Sequence, residues 1–462
     1  MRGKMEEKMK KGCFKFILAV ILSLAIAGTS YAFKFDFHGK MWQTVGVTDN
    51  YGAMATPQKS GPTDYFSYNG GLNSKGMKIA MYDVMSDNDD ATFGLTKARL
   101  RFEGTTDDGL AKVVYGLEVG TYNWGDKDEK FGLSGDGTNQ ETRFAYAEVV
   151  MPGIGGKVRA GLQPTKINHW VWTETAPGLT YHYDFGAWKT MAGWYRGEDS
   201  STGEIEGDND YFVIKADNKL NQTTTLGFFG IYTDLDKDNT SLDDPYDGEY
   251  YYLGLTGKYS KGKLFGDVDF IYQGGDIDFD DTAIDDLDRS AWLGNLTVGF
   301  KVSDKFKISG NILYVSGDDD PNDDDAENFD AININIKVGT IFFKDSIMAD
   351  CDRFISDAPY IMDKGLINYA IQGEYQMNEK NYLRAAVRYL MTAEDLEFNN
   401  ESDDDLGYEF DLWYTYTLNK HVDLIIDAAY LIAGDGADLL AASDDYDSDD
   451  IYKLAAGIKF SF

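Results

Sequence analysis

Cysteine is almost missing from this 462-residue chain, which has only Cys13 and Cys351, so a disulfide scaffold is excluded. Proline (8) and histidine (4) are also scarce. Basic charge is in deficit: 43 Lys and Arg stand against 78 Asp and Glu, a formal net charge of −35. Phosphate recognition depends on a basic footprint, so a nucleic-acid partner is not expected. Mean hydropathy is −0.39, and only one segment, near the start, is a sustained apolar run, so a helical membrane protein is excluded as well. What is plentiful is glycine (49), tyrosine (31) and phenylalanine (27). Acidic disordered chains are poor in aromatics, so this composition calls for a folded, strand-rich body.

The early apolar run sets the compartment. Lys8, Lys10, Lys11 and Lys15 precede an apolar stretch over 16–27, and Ser30-Tyr31-Ala32 offers small residues at the −3 and −1 positions of a cleavage site. Residues 1–32 therefore read as a cleaved secretory signal peptide, too short in its apolar part to span a bilayer. Residues 33–462 are left as a single exported domain.

That domain alternates with period two. Over 452–462, Tyr452, Leu454, Ala456, Ile458, Phe460 and Phe462 share one face, while Lys453, Lys459 and Ser461 share the other. The same alternation runs through 406–418, 422–432 and 383–391. Connectors of two kinds take turns. One kind is short and often carries lysine, as at Lys219, Lys261, Lys263, Lys305, Lys380 and Lys420. The other is long and acidic: 198–210, 234–249, 276–288, 318–330, 394–405 and 435–450 together hold more than half of the acidic residues beyond position 32. Short turns at one rim and long loops at the other mark an all-β transmembrane antiparallel barrel, with short periplasmic turns and long acidic extracellular loops. The pattern predicts about 18 strands. It gives 16 if the hairpin at 178–196 is absent, and 20 if the alternating stretch 331–343 adds one; 317–363 is otherwise expected as one long outer loop.

A lysine or arginine at the lipid midplane costs about 2–4 kcal/mol, so the charged parity of each strand should face inward. This places Lys97, Arg99, Arg101 and Glu103 in the lumen, with Arg143, Lys157, Arg159, Arg384 and Arg388. Glu118, Asp267, Asp269, Glu409, Asp411, Asp423 and Asp427 supply acid on the same inner surface. A barrel of this size is too wide for side chains to fill and holds a water-filled channel. No catalytic arrangement emerges: His38, His169, His182 and His421 are scattered, with no nucleophile motif beside any of them. The stretch 276–287 begins like a calcium loop but lacks its glycine and its final glutamate. No cofactor and no specific metal site is expected. The runs Asp318, Asp319, Asp320 and Asp323, Asp324, Asp325 are candidates for diffuse divalent binding only.

Lys97-Ala98-Arg99-Leu100-Arg101-Phe102-Glu103-Gly104 resembles the second strand of Gram-negative trimeric porins. Thr142-Arg143-Phe144-Ala145-Tyr146, followed by Gly156-Lys157-Val158-Arg159-Ala160-Gly161-Leu162-Gln163, resembles their fourth and fifth strands. The Ala-Gly-Leu-Gln-Pro run is especially similar to outer-membrane homotrimeric porins of sulfate-reducing bacteria. The resemblance implies a homotrimer and an assembly signal at Phe460 and Phe462 for the barrel-insertion machinery. It also implies an inward-folded constriction loop at 164–177, faced by a basic wall of Arg99 and Arg143 with Arg101, Arg159 and His182 nearby. This loop departs from the family: it is short and carries one acid, Glu174, beside Lys166 and His169. Its Trp170 and Trp172 either stack on sugar faces or pin the loop to the wall.

The expectation is a bacterial outer-membrane porin for passive diffusion of small hydrophilic solutes and ions, surrounded by outer-membrane lipid and lipopolysaccharide. A substrate-selective channel for a sugar or organic anion, or a closed structural or adhesive barrel, is the alternative. An enzyme is not expected. The acid-rich mouth leans overall selectivity toward cations.

Overall fold

The computed structural model describes residues 33–49, 91–125, 140–198, 209–236, 246–279, 286–320, 323–334, 336–343, 345–347, 358–398, 401–439 and 450–462. The signal peptide expected over 1–32 lies outside them, as does much of the acidic loop sequence.

Alternation becomes eighteen strands. The first six are β1 (Lys34–Asp49), β2 (Ala91–Thr105), β3 (Ala111–Asn123), β4 (Gln140–Val150), β5 (Lys157–Pro164) and β6 (Thr175–Phe185). Next come β7 (Trp188–Glu198), β8 (Asn209–Asn218), β9 (Thr224–Asp236), β10 (Tyr246–Lys261), β11 (Leu264–Phe279) and β12 (Leu287–Lys301). The last six are β13 (Phe306–Val315), β14 (Leu366–Asn378), β15 (Asn381–Phe398), β16 (Glu401–Asn419), β17 (Val422–Ala433) and β18 (Ile451–Ser461). Each pairs antiparallel with its sequence neighbours, and β1 pairs with β18 from Lys40↔Ser461 to Asp49↔Tyr452, so the sheet closes on itself. Closure satisfies every strand edge without water, as a barrel in hydrocarbon requires. A two-residue stretch, Asp325–Ala326, adds a parallel pairing on β12. The hairpin at 178–196 is present as β6 and β7. The stretch 331–343 adds no barrel strand among the described residues, because β13 pairs directly with β14 from Phe306↔Tyr375 to Val315↔Leu366.

One parity of each strand is apolar and exposed. Leu253 and Leu255 on β10, Phe270 on β11, Leu296 and Val298 on β12, and Phe410 and Leu412 on β16 all face outward. In a soluble protein so wide an exposed apolar surface would aggregate; around a closed sheet it is a lipid-facing belt. The opposite parity holds Lys97, Glu118, Asp269, Arg388, Glu409, Asp411 and Asp427, all buried within the barrel. Short turns link β2 to β3, β4 to β5 and so on to β16 and β17, and the start of β1 and Phe462 lie at that same rim.

The seam closes on aromatic packing. The Phe462 ring lies over Gly39 and 5.5 Å from Phe37, which in turn sits 4.9 Å from Phe102. The Phe462 amide donates to the Gly39 carbonyl, and the Gly39 amide donates back to the Phe462 carbonyl. A Cβ on residue 39 would fall 2.2 Å from the Phe462 ring, so only glycine leaves room for it. Gly39→Val should displace that ring and destabilise the barrel by about 1–3 kcal/mol. The folded band should then be lost at a lower temperature in heat-modifiability gels; an unchanged midpoint would count against the packing described.

Candidate functional site

The lumen is lined by charged walls and crossed by two loops. On the wall formed by β2 to β5, three carboxylates each serve several cations. Glu118 takes Lys97 at 2.5 Å, Arg99 at 2.5 Å and Arg143 at 2.7 Å. Glu148 takes Arg159 at 2.7 Å and Lys157 at 3.4 Å, and Glu103 takes Arg101 and Lys112. The wall therefore keeps a net positive charge. Its guanidiniums also lie against rings: Arg99 is 5.7 Å from the Trp42 centroid, Arg143 is 5.7 Å from Phe144 and Arg159 is 4.9 Å from Tyr146. Stacking and shared carboxylates hold long side chains in fixed positions, so the charge is presented at a defined place.

Nine strands round an eighteen-stranded barrel is the opposite wall, and there the lining changes to amides and acids. Asn295 donates to Asp269 at 3.1 Å and Asp267 at 3.2 Å, Asn311 donates to Asn295 at 2.8 Å, and Asn368 donates to Asn311 at 3.2 Å. The lumen wall thus has a basic side and an acid-amide side, the latter largely buried.

The first inward loop is short, because β5 runs to Pro164 and β6 starts at Thr175. Ile167, Trp170, Val171 and Trp172 are buried in the lumen. Trp170 Nε1 donates to Asp269 at 3.3 Å, and Trp172 packs 5.0 Å from Tyr195 and 4.9 Å from Tyr211. Both tryptophans pin the loop to the wall, the second of the two roles open from the sequence. Lys215 secures the base by donating to the Ile167 carbonyl at 2.7 Å.

The second inward loop is a correction. The sequence places 317–363 as a long outer loop, yet its described residues from Asn328 to Ile361 pack inside the barrel, while Asp319, Asp320, Asp324 and Asp325 are exposed. Phe329, Ala331, Ile332, Ile334, Phe342 and Ile361 are buried, packed on lumen-facing Phe229, Ile231, Tyr252, Ile271 and Leu293. An apolar inner wall would be costly against water, and this loop is what covers it. The two loops touch: the Ile332 and Asn333 amides donate to the Val171 carbonyl, and the Thr173 amide donates to the Asn333 carbonyl at 2.9 Å.

Buried carboxylates hold the second loop. Glu409 accepts the amides of Thr340 at 2.6 Å, Ile341 at 2.8 Å and Phe342 at 3.3 Å. Gly339 lets the chain come this close, since a Cβ there would sit 2.9 Å from the same carboxylate. Asp427 accepts the Ile347 amide at 2.5 Å, and Lys453 donates to the Thr340 carbonyl at 2.6 Å. Arg384 pairs with Asp345 at 2.6 Å. At the loop's other end Asp330 accepts the Tyr360 hydroxyl at 2.7 Å, and its own amide donates to Gln273 at 2.8 Å. Burial pushes the Asp330 carboxyl above the ordinary carboxylate range, opposed by the nearby charge of Arg289.

Of the residues singled out from sequence, Arg99, Arg101, Arg143 and Arg159 stand on one wall. Glu174 joins them, 3.6 Å from Arg143. His182 is opposite Lys157 in the strand register and hydrogen-bonds Thr180 at 2.9 Å. Lys166 and His169 are exposed on the first loop, with the His169 ring 4.3 Å from Trp170. Phe460 faces lipid beside the seam. The aspartates divide: Asp318 is buried against the protein, whereas Asp319, Asp320, Asp324 and Asp325 are exposed and Asp323 is half-buried. Among the described residues no group of three or more His, Cys, Asp or Glu is arranged to hold a metal. The clasp of Glu409 and Asp427 on residues 339–343 and 345–347 has no sequence motif; its one trace is the every-second-residue run Ile332, Ile334, Ile336, which marks a buried face.

By sequence, the chain matches no known family and no curated protein. Its structure is similar to that of OprD, an outer membrane protein from Pseudomonas aeruginosa, with TM-score 0.52 and 12% identity over 93% of this chain and 94% of that one. Pseudomonas aeruginosa OccK8 (OprE) gives TM-score 0.52 and 13% identity over 93% and 98%. Pseudomonas aeruginosa OccK11 (OpdR) gives 0.51 and 10% over 93% and 96%. The fold is that of a bacterial outer-membrane barrel. The lipid-facing belt and closed seam agree with that placement.

Glu409→Ala should remove an acceptor shared by three buried amides, with Thr340 keeping Asp411 at 3.1 Å, at a cost of about 1–3 kcal/mol for each amide left unpaired. Loosening of the second loop should raise mean single-channel conductance and its noise in planar bilayers, with Glu409→Gln less affected because it keeps a carbonyl acceptor. A trace identical to the parent would disprove the clasp. The pH dependence has a defined sign. A carboxyl raised in the folded state contributes to docking fully below its unfolded value, and that contribution is lost as pH rises through the folded value. Asp330 should therefore hold the loop more firmly at acid than at neutral pH, so conductance should fall on acidification, and by less in Asp330→Asn. Equal responses of parent and variant would remove Asp330 from the explanation.

Proposed function

We propose that this barrel is an outer-membrane channel that passes small hydrophilic solutes with a preference for anions, and that it selects among them. The observation carrying the proposal is the lumen at the level of Arg99, Arg143 and Glu174, where a positively charged wall meets two interlocked inward loops. A wide lumen without obstruction would serve general diffusion; two loops fastened across it leave a narrower path and more contact with each solute. Selectivity at such a point follows the local wall and not the overall net charge of −35. This reverses, for the constriction, the cation preference that the acidic mouth favours. No step in this role calls for a catalytic group or a cofactor.

The other reading with structural support is a closed structural barrel, because the two loops pack through apolar side chains. A homotrimer remains a proposal that rests on the resemblance to trimeric porins, as does the role of Phe462 in recognition by the insertion machinery.

Planar-bilayer recording separates these readings. The channel predicts conductance steps, grouped in threes for a trimer, and a reversal potential in a KCl gradient that favours chloride. Arg99→Gln combined with Arg143→Gln should move that potential toward potassium. Complete silence from well-folded protein would leave the closed barrel, and an unmoved potential would acquit the basic wall.

A further inference from the structure

We propose that the turn rim from β8 to β17 binds the phosphate headgroups of anionic phospholipids in the periplasmic leaflet. The proposal rests on the exposed apolar belt facing lipid, and it is independent of what passes through the lumen.

Lysines without a carboxylate partner gather on one arc of this rim: elsewhere Lys34, Lys112 and Lys157 beside the turns are paired with Asp36, Glu103 and Glu148, and Lys189 stands near the start of β7. The turns 106–110, 151–156 and 186–187 contain no lysine or arginine. Each of the next five short turns brings at least one lysine: Lys219, then Lys261 with Lys263, Lys305, Lys380 and Lys420. All six are exposed, and among the described residues none of them is paired with a carboxylate. The acids in these five turns are only Asp304 and Glu379.

Their neighbours fix the level in the membrane. Leu220, Leu264, Phe300, Val302 and Leu418 are exposed on the lipid side at this rim. The Lys263 ammonium lies 5.6 Å from the Phe300 ring centroid, so its stem runs along the apolar belt and its charge ends at the belt's edge. Lys263 and Lys305 each donate to one backbone carbonyl, at 3.4 Å and 3.2 Å, which leaves further N–H groups on each ammonium for a phosphate. A phospholipid fits this arrangement as a unit, with acyl chains against the apolar side chains and the phosphate at the lysines. The acid-rich rim at the other end would repel the same headgroup, so the preference belongs to the turn side.

Native mass spectrometry of the folded full-length barrel, equilibrated in micelles with equal phosphatidylglycerol and phosphatidylethanolamine, tests this. The retained phosphatidylglycerol should exceed phosphatidylethanolamine by about fivefold or more, a ratio within the reach of a few lysine contacts. Replacing Lys219, Lys261, Lys263, Lys305, Lys380 and Lys420 by Gln should bring the ratio to about one, with heat-modifiability confirming the fold, while replacement by Arg should keep the preference. Should the sixfold Gln variant fail to fold, Lys261→Gln, Lys263→Gln and Lys305→Gln together should give an intermediate ratio. Equal retention of the two lipids by the parent, an unchanged ratio in the Gln variants, or selective retention of added peptidoglycan fragments in place of phosphatidylglycerol would each overturn the proposal.

Discussion

Everything in this molecule depends on one constraint of hydrocarbon: a backbone amide or carbonyl there has no water to bind. A sheet meets it only by having no edge, and the β1–β18 seam removes the last one. Once the sheet is closed, its two faces see different solvents. Val, Leu, Phe and Tyr crowd the outer parity, and apart from an apolar patch inside β7 to β13 the inner parity is polar and charged. Charge inside the barrel is therefore first a consequence of keeping charge out of lipid, and only then material for function.

That inner charge has been put to two uses. On β2 to β5 a few carboxylates each neutralise several cations, so the group is held together yet keeps its positive sign. On β16 and β17 the carboxylates of Glu409 and Asp427 instead accept amide hydrogens from Thr340, Ile341, Phe342 and Ile347 of the second loop. A buried irregular segment must satisfy its amides somewhere, and a lumen already lined with acids supplies the acceptors. The apolar patch inside β7 to β13 then completes the docking. The long loop is in effect a second, inner core.

Much of this was legible in the residues. Strand parity, the inward Arg99, Arg143 and Arg159, and the alternation of short turns with long loops follow from period two and from the cost of charge in lipid. The stretch 317–363 was not. Its acidic start resembles the other outer loops, and its alternating Ile332, Ile334 and Ile336 look like a strand, because a strand and an extended segment packed in a cavity bury side chains with the same period. Nor does the sequence show that Glu409 meets residues 340–342 while Glu118 meets three cations. Both are acids of the inner parity, and only their neighbours across the lumen differ.

The amino-acid order alone determined the barrel, its approximate strand number and which parity faces lipid, since these depend on local periodicity and on the polarity of each residue. Tertiary structure decided what fills the lumen. Which loops turn inward, what they touch and which carboxylate holds them depend on residues some 70 to 100 positions apart, such as Thr340 with Glu409 and Asn168 with Asp269, brought together only when the sheet closes. The net charge of −35 is a sum over both ends and the interior; the field inside the barrel is set by where closure places each sign.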